Sequence, residues 1–342
     1  MPSPFLSRLR RFAPSFAGGD QHDAQELLSF LLDGIHEDLN RVRDRPYIED
    51  KDCDGSNDEG DAAEAWGNHL QRNRSVVVDL FQGQLRSVVV CRNTQKRRGG
   101  GENGMMRAGG CGHRNVRFEP FMYLSLPIAD DCWTLDDCLD LYCREEMMTG
   151  DDQWYCPKCK AHVDATKKLD LWTLPPILIV HLKRFRYFEG GHRSKIDRAV
   201  RYPLQSWDLG GSERARSGFP PVYDLYAVTH HEGSLAGGHY TAFGMNRFDD
   251  AWYEFNDSQC RRIDDPSSEL GQSPSAYCLV SFWDGERGVV VVVMDDTNLR
   301  SKCNPHNGST SDLPRLSHLI TLLARTHTYI SFTIASSTGE WV

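Results

Sequence analysis

The sequence predicts an α+β protein, on three observations. Residues 20–43 place Leu27, Leu28, Phe30, Leu31, Leu32, Ile35 and Leu39 at three- and four-residue steps, the single wide apolar face of an amphipathic helix. Residues 177–182, Ile-Leu-Ile-Val-His-Leu, form a continuous apolar run suited to a fully buried strand. Residues 233–258 read as two strands about the polar turn Asn246-Arg-Phe-Asp-Asp250, a β-hairpin. With 342 residues the chain can hold one large domain or two and bury a substantial core.

In chain order, Asp20 is placed to cap the first helix, with Asp23 and Glu26 in its first turns, where acids suit the helix dipole. Residues 49–63 form an acidic, Gly-containing loop. Asp52, Asp54, Asn57 and Asp58 are poorly spaced for a calcium loop, so a solvated loop is the reading there. A helix is expected around Ala62–Arg72, then mixed strand over Ser75–Arg86 ending in Val88-Val-Val-Cys91. Arg92–Gly110 is a Gly- and Arg-rich insertion. Cys132, Cys138 and Cys143 lie in or near a helical segment, Leu135–Glu146, as core or surface residues. Lys183, Arg184 and Arg186 read as exposed ends of the sheet, and His181 as core. Ile196–Leu204, Tyr223–His230 and Ala276–Phe282 are expected to continue the sheet. Val289–Val293 reads as an edge strand or an aggregation-prone run, and Leu316–Leu323 as one weakly apolar stretch of an unassigned tail, 285–342.

Charge and composition narrow the function. A net charge of -9 argues against a general nucleic-acid binder and suits a site that receives a basic partner. No apolar run reaches 18 residues, so nothing is expected to span a membrane. Met1-Pro-Ser-Pro-Phe-Leu-Ser-Arg-Leu-Arg-Arg lacks the apolar core of a secretory signal. Eleven cysteines without such a signal point to a reducing, intracellular compartment, where cysteine pairs bind metal more often than they form disulfides.

Two groups carry chemistry. If the hairpin turn is centred between Arg247 and Phe248, paired numbers sum to 495 and His239 faces Asn256, with side chains about 5 Å apart. A histidine held by an amide is the base-and-orienter half of a nucleophilic site; the bland alternative is a satisfied histidine on a sheet. Cys156-Pro-Lys-Cys159 is a tight turn that sets two thiolates on one ion, and tetrahedral zinc requires two further ligands.

The blocks Gly237-Gly-His-Tyr-Thr-Ala242 and Trp252-Tyr-Glu-Phe-Asn-Asp-Ser258 resemble the histidine box of the ubiquitin-specific proteases. These are cysteine peptidases that cut after the last glycine of ubiquitin. Gly19-Asp-Gln-His-Asp-Ala-Gln-Glu-Leu-Leu28, Glu119-Pro-Phe-Met-Tyr-Leu-Ser-Leu-Pro127, Trp154-Tyr-Cys-Pro-Lys-Cys159 and Leu174–Phe185 resemble further family blocks, in order, over residues 5–284. The resemblance implies a papain-like thumb, palm and fingers with an incomplete helical thumb: thumb remnant 1–75, fingers 76–175 tipped by a zinc ribbon, palm 176–284.

For the site, it implies His239 as base, Asn256 as its orienter, and Asp257 polarising that region or the oxyanion site. Gln21, Asp23, Gly237, Gly238 and Tyr240 would hold the arginine-bearing ubiquitin tail, the two glycines by admitting a close backbone. It places the second cysteine pair just before Phe118, where Cys111 fits and Ala108 stands in place of a cysteine. Cys91 then becomes the fourth ligand, with His113 as a weaker substitute. Partners would be ubiquitin and ubiquitinated proteins, engaged by a monomer. The family's nucleophile lies in an Asn-Thr-Cys-Tyr-like box ahead of the Gln-Asp box, and this sequence contains none. A fragment of an active deubiquitinase, an inactive ubiquitin binder and a zinc-ribbon interaction module are the three readings left open.

Overall fold

The computed structural model describes residues 9, 13–17, 21–49, 51–92, 111–187, 193–210, 222–234 and 237–283. Asp20, most of the 92–110 insertion, Val289–Val293, Leu316–Leu323 and the tail lie outside the described residues.

Helix α1 is Ala24–Leu39, shorter than expected at both ends, and Asp23 rather than Asp20 caps it by accepting from the Gln25 and Glu26 amides. Helix α2, Asp58–Leu70, begins inside the expected acidic loop. Asn57 caps it, and Asp58, Glu59 and Asp61 fill its first turn, where negative charge is favoured. The Ser75–Arg86 reading is corrected: Val76–Phe81 is helix α3, because the Ser75 hydroxyl accepts from the Val78 amide and caps it. Its β-branched residues enter a helix because burial of Val77, Val78, Leu80 and Phe81 outweighs their weak strand preference.

Strands β1 (Gly83–Cys91), β2 (Arg114–Phe121), β4 (Glu146–Met148) and β7 (Ala165–Thr173) form one sheet in the order β2-β1-β7-β4, with β3 (Leu124–Pro127) between β2 and β4 in sequence. Pro120 is tolerated because β2 is an edge strand. Helix α2 docks here through Ala62 against Val88, Val116 and Phe118, and Arg86 bridges Asp58 of α2 and Asp170 of β7 at 2.7 and 3.1 Å. A hairpin of β5 (Trp154–Cys156) and β6 (Ala161–Val163) sits beside it in sequence, and helix α4, Leu135–Cys143, starts with a Thr134–Asp137 capping box.

The larger sheet has eight strands. In chain order the remaining strands are β8 (Ile177–Lys183), β9 (Phe185–Tyr187), β10 (Arg193–Lys195), β11 (Val200–Arg201), β12 (Trp207–Asp208), β13 (Val222–Ser234), β14 (Gly237–Asn246), β15 (Ala251–Asn256), β16 (Gln259–Ile263), β17 (Gln272–Ser273) and β18 (Ala276–Trp283). A short helix α5, Pro266–Glu269, separates β16 from β17. The eight-stranded sheet has the order β16-β15-β14-β13-β18-β8-β3, with β12 added on β13, while β9 pairs with β10 and β11 with β17 apart from it. Strand β8 explains its own apolar run. Leu178, Val180 and Leu182 enter a core with α4, while Ile177 and Ile179 enter a second core with α1 and α3, so both faces are covered. The Ile196–Leu204 reading is corrected: only Val200–Arg201 is strand there, and it pairs with β17 outside the main sheet.

Arg184 overturns its expected exposure. It is fully buried, and its guanidinium donates to the carbonyls of Ala276, Ile196, Arg198 and Ser273, at 2.8 Å for Arg198 and 2.9 Å for Ile196. Burial pulls it down to about 10, so it stays charged at neutral pH. No helix among the described residues is long and apolar enough to cross a membrane.

Burial also pulls His181, His230 and His231 down to about 4, against about 6.5 in an unfolded chain. Between those values the unfolded chain takes up protons that the fold excludes, so stability drops as pH falls from 6.5 toward 4. A series of thermal melts across that window should show a steadily falling midpoint; a flat one would contradict the burial of these three rings.

Candidate active site

Three pieces of chain meet at one end of β14. His239 is half-buried, and its Nε2 lies 2.8 Å from Asn256 Oδ1. With the amide oxygen as acceptor, Nε2 carries the hydrogen and Nδ1 keeps its lone pair, which is the form of a general base. The contact is as expected but the register is not. Ala242 pairs with Phe255 and Met245 with Trp252, so numbers sum to 497, Asn256 faces the position of Thr241, and His239 reaches it diagonally. The turn is centred one residue later than expected. A slip of two keeps every side chain on its face, whereas a slip of one would have reversed the pair.

Asp257 stands at the corner beyond Asn256 with φ 51, in the two-residue turn that joins Asn256 to Gln259. Aspartate enters that left-handed region more readily than most residues.

Gln21 is exposed just ahead of α1, and its Oε1 accepts from the Gly238 amide at 3.0 Å. This joins the first expected tail-binding residue to the fourth across 217 positions. Asp23 is employed by the fold. Oδ1 accepts from the Gln25 and Glu26 amides at 2.7 and 3.3 Å, and Oδ2 accepts the Tyr277 hydroxyl of β18. Tyr240 alternates with His239 and therefore points the other way. It is buried with Ala24, Tyr277 and Cys278, its ring 4.6 Å from His231 and 5.6 Å from Tyr277. Gly237 and Gly238 are half-exposed at the start of β14.

A cysteine to pair with His239 is not found among the described residues. Cys260 shares a row with Phe255, one residue off Asn256, and so lies on the opposite face. Cys278 is fully buried and its thiol is pushed well above the usual range. Cys132, Cys138 and Cys143 are in the core beside α4.

The other site is Cys91, Cys111, Cys156 and Cys159, whose sulfurs all lie within 4.8 Å of one another. Cys111 and Cys156 are 3.6 Å apart, and Cys91 and Cys159 are 3.8 Å apart. Four thiolates around one tetrahedral zinc with bonds of about 2.3 Å have edges of about 3.8 Å, so the set fits such an ion. The ladder explains the split pair: Val90 faces Arg114, and the Cys91 amide donates to His113 O, so β1 and β2 bring Cys91 to Cys111 whatever lies between. His113 stacks instead on Trp154, 6.0 Å away.

Sequence reasoning missed Tyr277, His231 and Lys195, which hold this end of the sheet from behind. Tyr277 lay in the expected closing strand, whereas Lys195 and His231 fell just outside the expected segments Ile196–Leu204 and Tyr223–His230 and carried no signal of their own.

Fold and site together define a papain-like hydrolase architecture, an α+β chain with an amide-held histidine at the end of a large sheet. The profile described as "Ubiquitin carboxyl-terminal hydrolase" matches residues 1–280. Ubiquitin carboxyl-terminal hydrolase 2 of Gallus gallus is 39% identical over 282 residues, covering 81% of this chain and 72% of that one. The Homo sapiens protein of the same name is 37% identical over 284 residues, covering 81% of this chain and 43% of that one. The SAGA DUB module bound to monoubiquitin superposes with a TM-score of 0.58 at 26% identity, covering 81% of this chain and 52% of that one. The chain belongs to the ubiquitin carboxyl-terminal hydrolase family, as a ubiquitin-specific protease member.

Asp23→Ala should remove the helix cap, costing about 1 kcal/mol, and leave the buried Tyr277 hydroxyl without its acceptor, costing about 1–3 kcal/mol. Asp23→Asn, which retains the cap, should lose less in urea unfolding. Equal losses would show that the cap contributes nothing.

Proposed function

We propose that this chain carries the substrate-holding and proton-transfer parts of a deubiquitinase, a cysteine peptidase acting at the C-terminal glycine of ubiquitin. The observation that carries this is the His239–Asn256 hydrogen bond beside Gly237 and Gly238, with Gln21 fastened across them. In this reading residues 1–75 belong to the thumb, 76–175 to the fingers and 176–284 to the palm. The chain works as an intracellular monomer on ubiquitin and ubiquitinated proteins.

The chemistry follows from the residues. An extended Gly-Gly tail carries no side chains, so it can lie against Gly237 and Gly238 at backbone distance. A thiol delivers its proton to His239 Nδ1, and the thiolate attacks the carbonyl carbon of the terminal glycine. The carbon–nitrogen bond breaks as the imidazolium returns that proton to the leaving amine, giving a thioester and a free amine. Water, deprotonated by the same imidazole, then releases the acid. Asn256 keeps the ring in its productive tautomer throughout, and Asp257 adds a negative corner next to it. Asp23 and Tyr240 serve this channel by fixing its wall, since their side chains are taken up in packing.

The thiol is the part this sequence does not supply next to His239, and no cysteine precedes Cys53. The polypeptide of this sequence should therefore release no fluorophore from a ubiquitin–fluorophore conjugate. With an Asn-Thr-Cys segment of the family joined ahead of Gln21 it should turn over, and His239→Ala should lower that rate by about 10²–10⁴. His239-dependent turnover by the chain as it stands would assign the nucleophile to one of its own cysteines.

We further propose that the four-cysteine cluster holds structural zinc. Burial raises the Cys156 thiol, and a coordinated divalent ion would reverse that by binding thiolate. Metal analysis of protein purified without chelator should find one zinc per chain. Cys159→Ser should lose it and Cys143→Ser should keep it; a metal-free wild-type chain would rule the site out.

A further inference from the structure

Among the described residues, β13 has no neighbouring strand on one edge past His230. The β13–β18 ladder ends at His230, opposite Ala276, and the His231 amide makes one further bond to Ser275 O at 2.8 Å. Beyond that point, among the described residues, β13 is paired by β14 alone, through Glu232–His239, Gly233–Gly238 and Ser234–Gly237. In an antiparallel strand, carbonyls two residues apart face the same edge. His231 O and Gly233 O thus face the side that β18 has left.

Lys195 fills that side. Its side chain is only 7% exposed, and its ammonium donates to His231 O at 2.8 Å and to Gly233 O at 3.2 Å, with Asp197 Oδ1 at 3.3 Å. Three N–H bonds meet three oxygens, which leaves no donor for a ligand. Its own backbone is held by β9, where Lys195 pairs with Phe185, and the Phe185 ring stands edge-on to His231 at 5.2 Å.

What Lys195 holds is unusually tight. Gly233 sits at φ +104, and a Cβ there would lie 2.7 Å from Gly237 O and from Gly238 Cα. A Cβ on Gly238 would fall 2.2 Å from His231 Nε2 and 2.5 Å from Glu232 O. The two strand tips are therefore nested backbone on backbone, with the His231 ring as a plate behind Gly238. Small movement of the β13 tip must be passed on to Gly237 and Gly238.

We propose that Lys195 is a positioning residue for the ubiquitin tail: it replaces the missing strand, clamps the tip of β13, and through Gly233 and His231 sets the Gly237–Gly238 backbone against which the tail lies. This rests on the ubiquitin-hydrolase reading of the site. It separates Lys195 from an ordinary stabilising lysine, because the neighbouring stretch of β13, Ala227–His230, is secured by ladders on both edges.

The test compares binding of intact ubiquitin and of ubiquitin lacking its last two glycines, by calorimetric or fluorescence titration, to the wild-type chain, Lys195→Met, Lys195→Gln and Asp197→Asn. Wild type should favour intact ubiquitin by about tenfold. Lys195→Met, which keeps the aliphatic stem without donors, should reduce that ratio to within about twofold, with binding of the shortened ubiquitin unchanged. Amide exchange should speed up at residues 232–239 and not along the rest of β13. Asp197→Asn, which leaves both carbonyl bonds, should keep the wild-type ratio. Should Lys195→Met unfold, Lys195→Gln, which retains a donor, is read in its place. If Lys195→Met keeps the wild-type ratio, weakens both ubiquitins alike, or is matched by Asp197→Asn, the proposal fails. If wild type itself does not distinguish the two ubiquitins, the tail-channel reading fails instead.

Discussion

One carboxylate ties the two ends of this fold together. Asp23 caps α1 with one oxygen and receives the Tyr277 hydroxyl with the other, so the start of α1 is pinned to β18, 254 residues away. Gln21 lies two residues ahead of that cap, and its bond to the Gly238 amide follows from where the cap is held. A helix start anchored by its own orphan amides and by a buried hydroxyl has little freedom to shift. The candidate site inherits its geometry from that anchor rather than from any residue that would touch substrate.

Around the anchor, buried cations do work usually left to strands. Arg184 gathers carbonyls from two separate segments, Ile196 and Arg198 in one and Ser273 and Ala276 in the other, and has no carboxylate among those partners. Lys195 does the same for two carbonyls at the free edge of β13. Each solves a backbone accounting problem, since a buried carbonyl without a donor is costly. Carbonyl partners also spread the charge over several dipoles, with Asp197 as a further, exposed partner of Lys195. The sheet can then end raggedly near its site and still present a defined backbone there.

The cysteine cluster is organised on other terms. It sits at the far end of the β1–β2 ladder and the β5–β6 hairpin, packed with Val163 and Trp154 in a small core of its own. Two large cores serve the larger sheet, and this small one offers its strands little apolar burial. With the proposed zinc bound, four converging sulfurs would supply what burial does not, because one ion can replace several side chains' worth of packing.

Features with a local period were legible in the chain itself. The apolar face of α1, the doubly buried run of β8, the hairpin at His239 and the Cys156–Cys159 turn all follow from spacing within a few residues, where propensity and pattern act directly. So did the His239–Asn256 pair, since a hairpin restricts which residues can meet even when its register is off by two. What tertiary structure decided were the partners of residues whose roles are set from outside their own segment. Val76–Phe81 is helical because its environment buries it, Asp23 and Tyr240 face the core because α1 lands on β18, and Arg184 and Lys195 are buried because distant carbonyls there lacked donors. Sequence specifies how a segment can fold and which face it must hide; only the assembled sheet specifies which backbone groups are left unpaired, and so which charged side chain is drawn in to meet them.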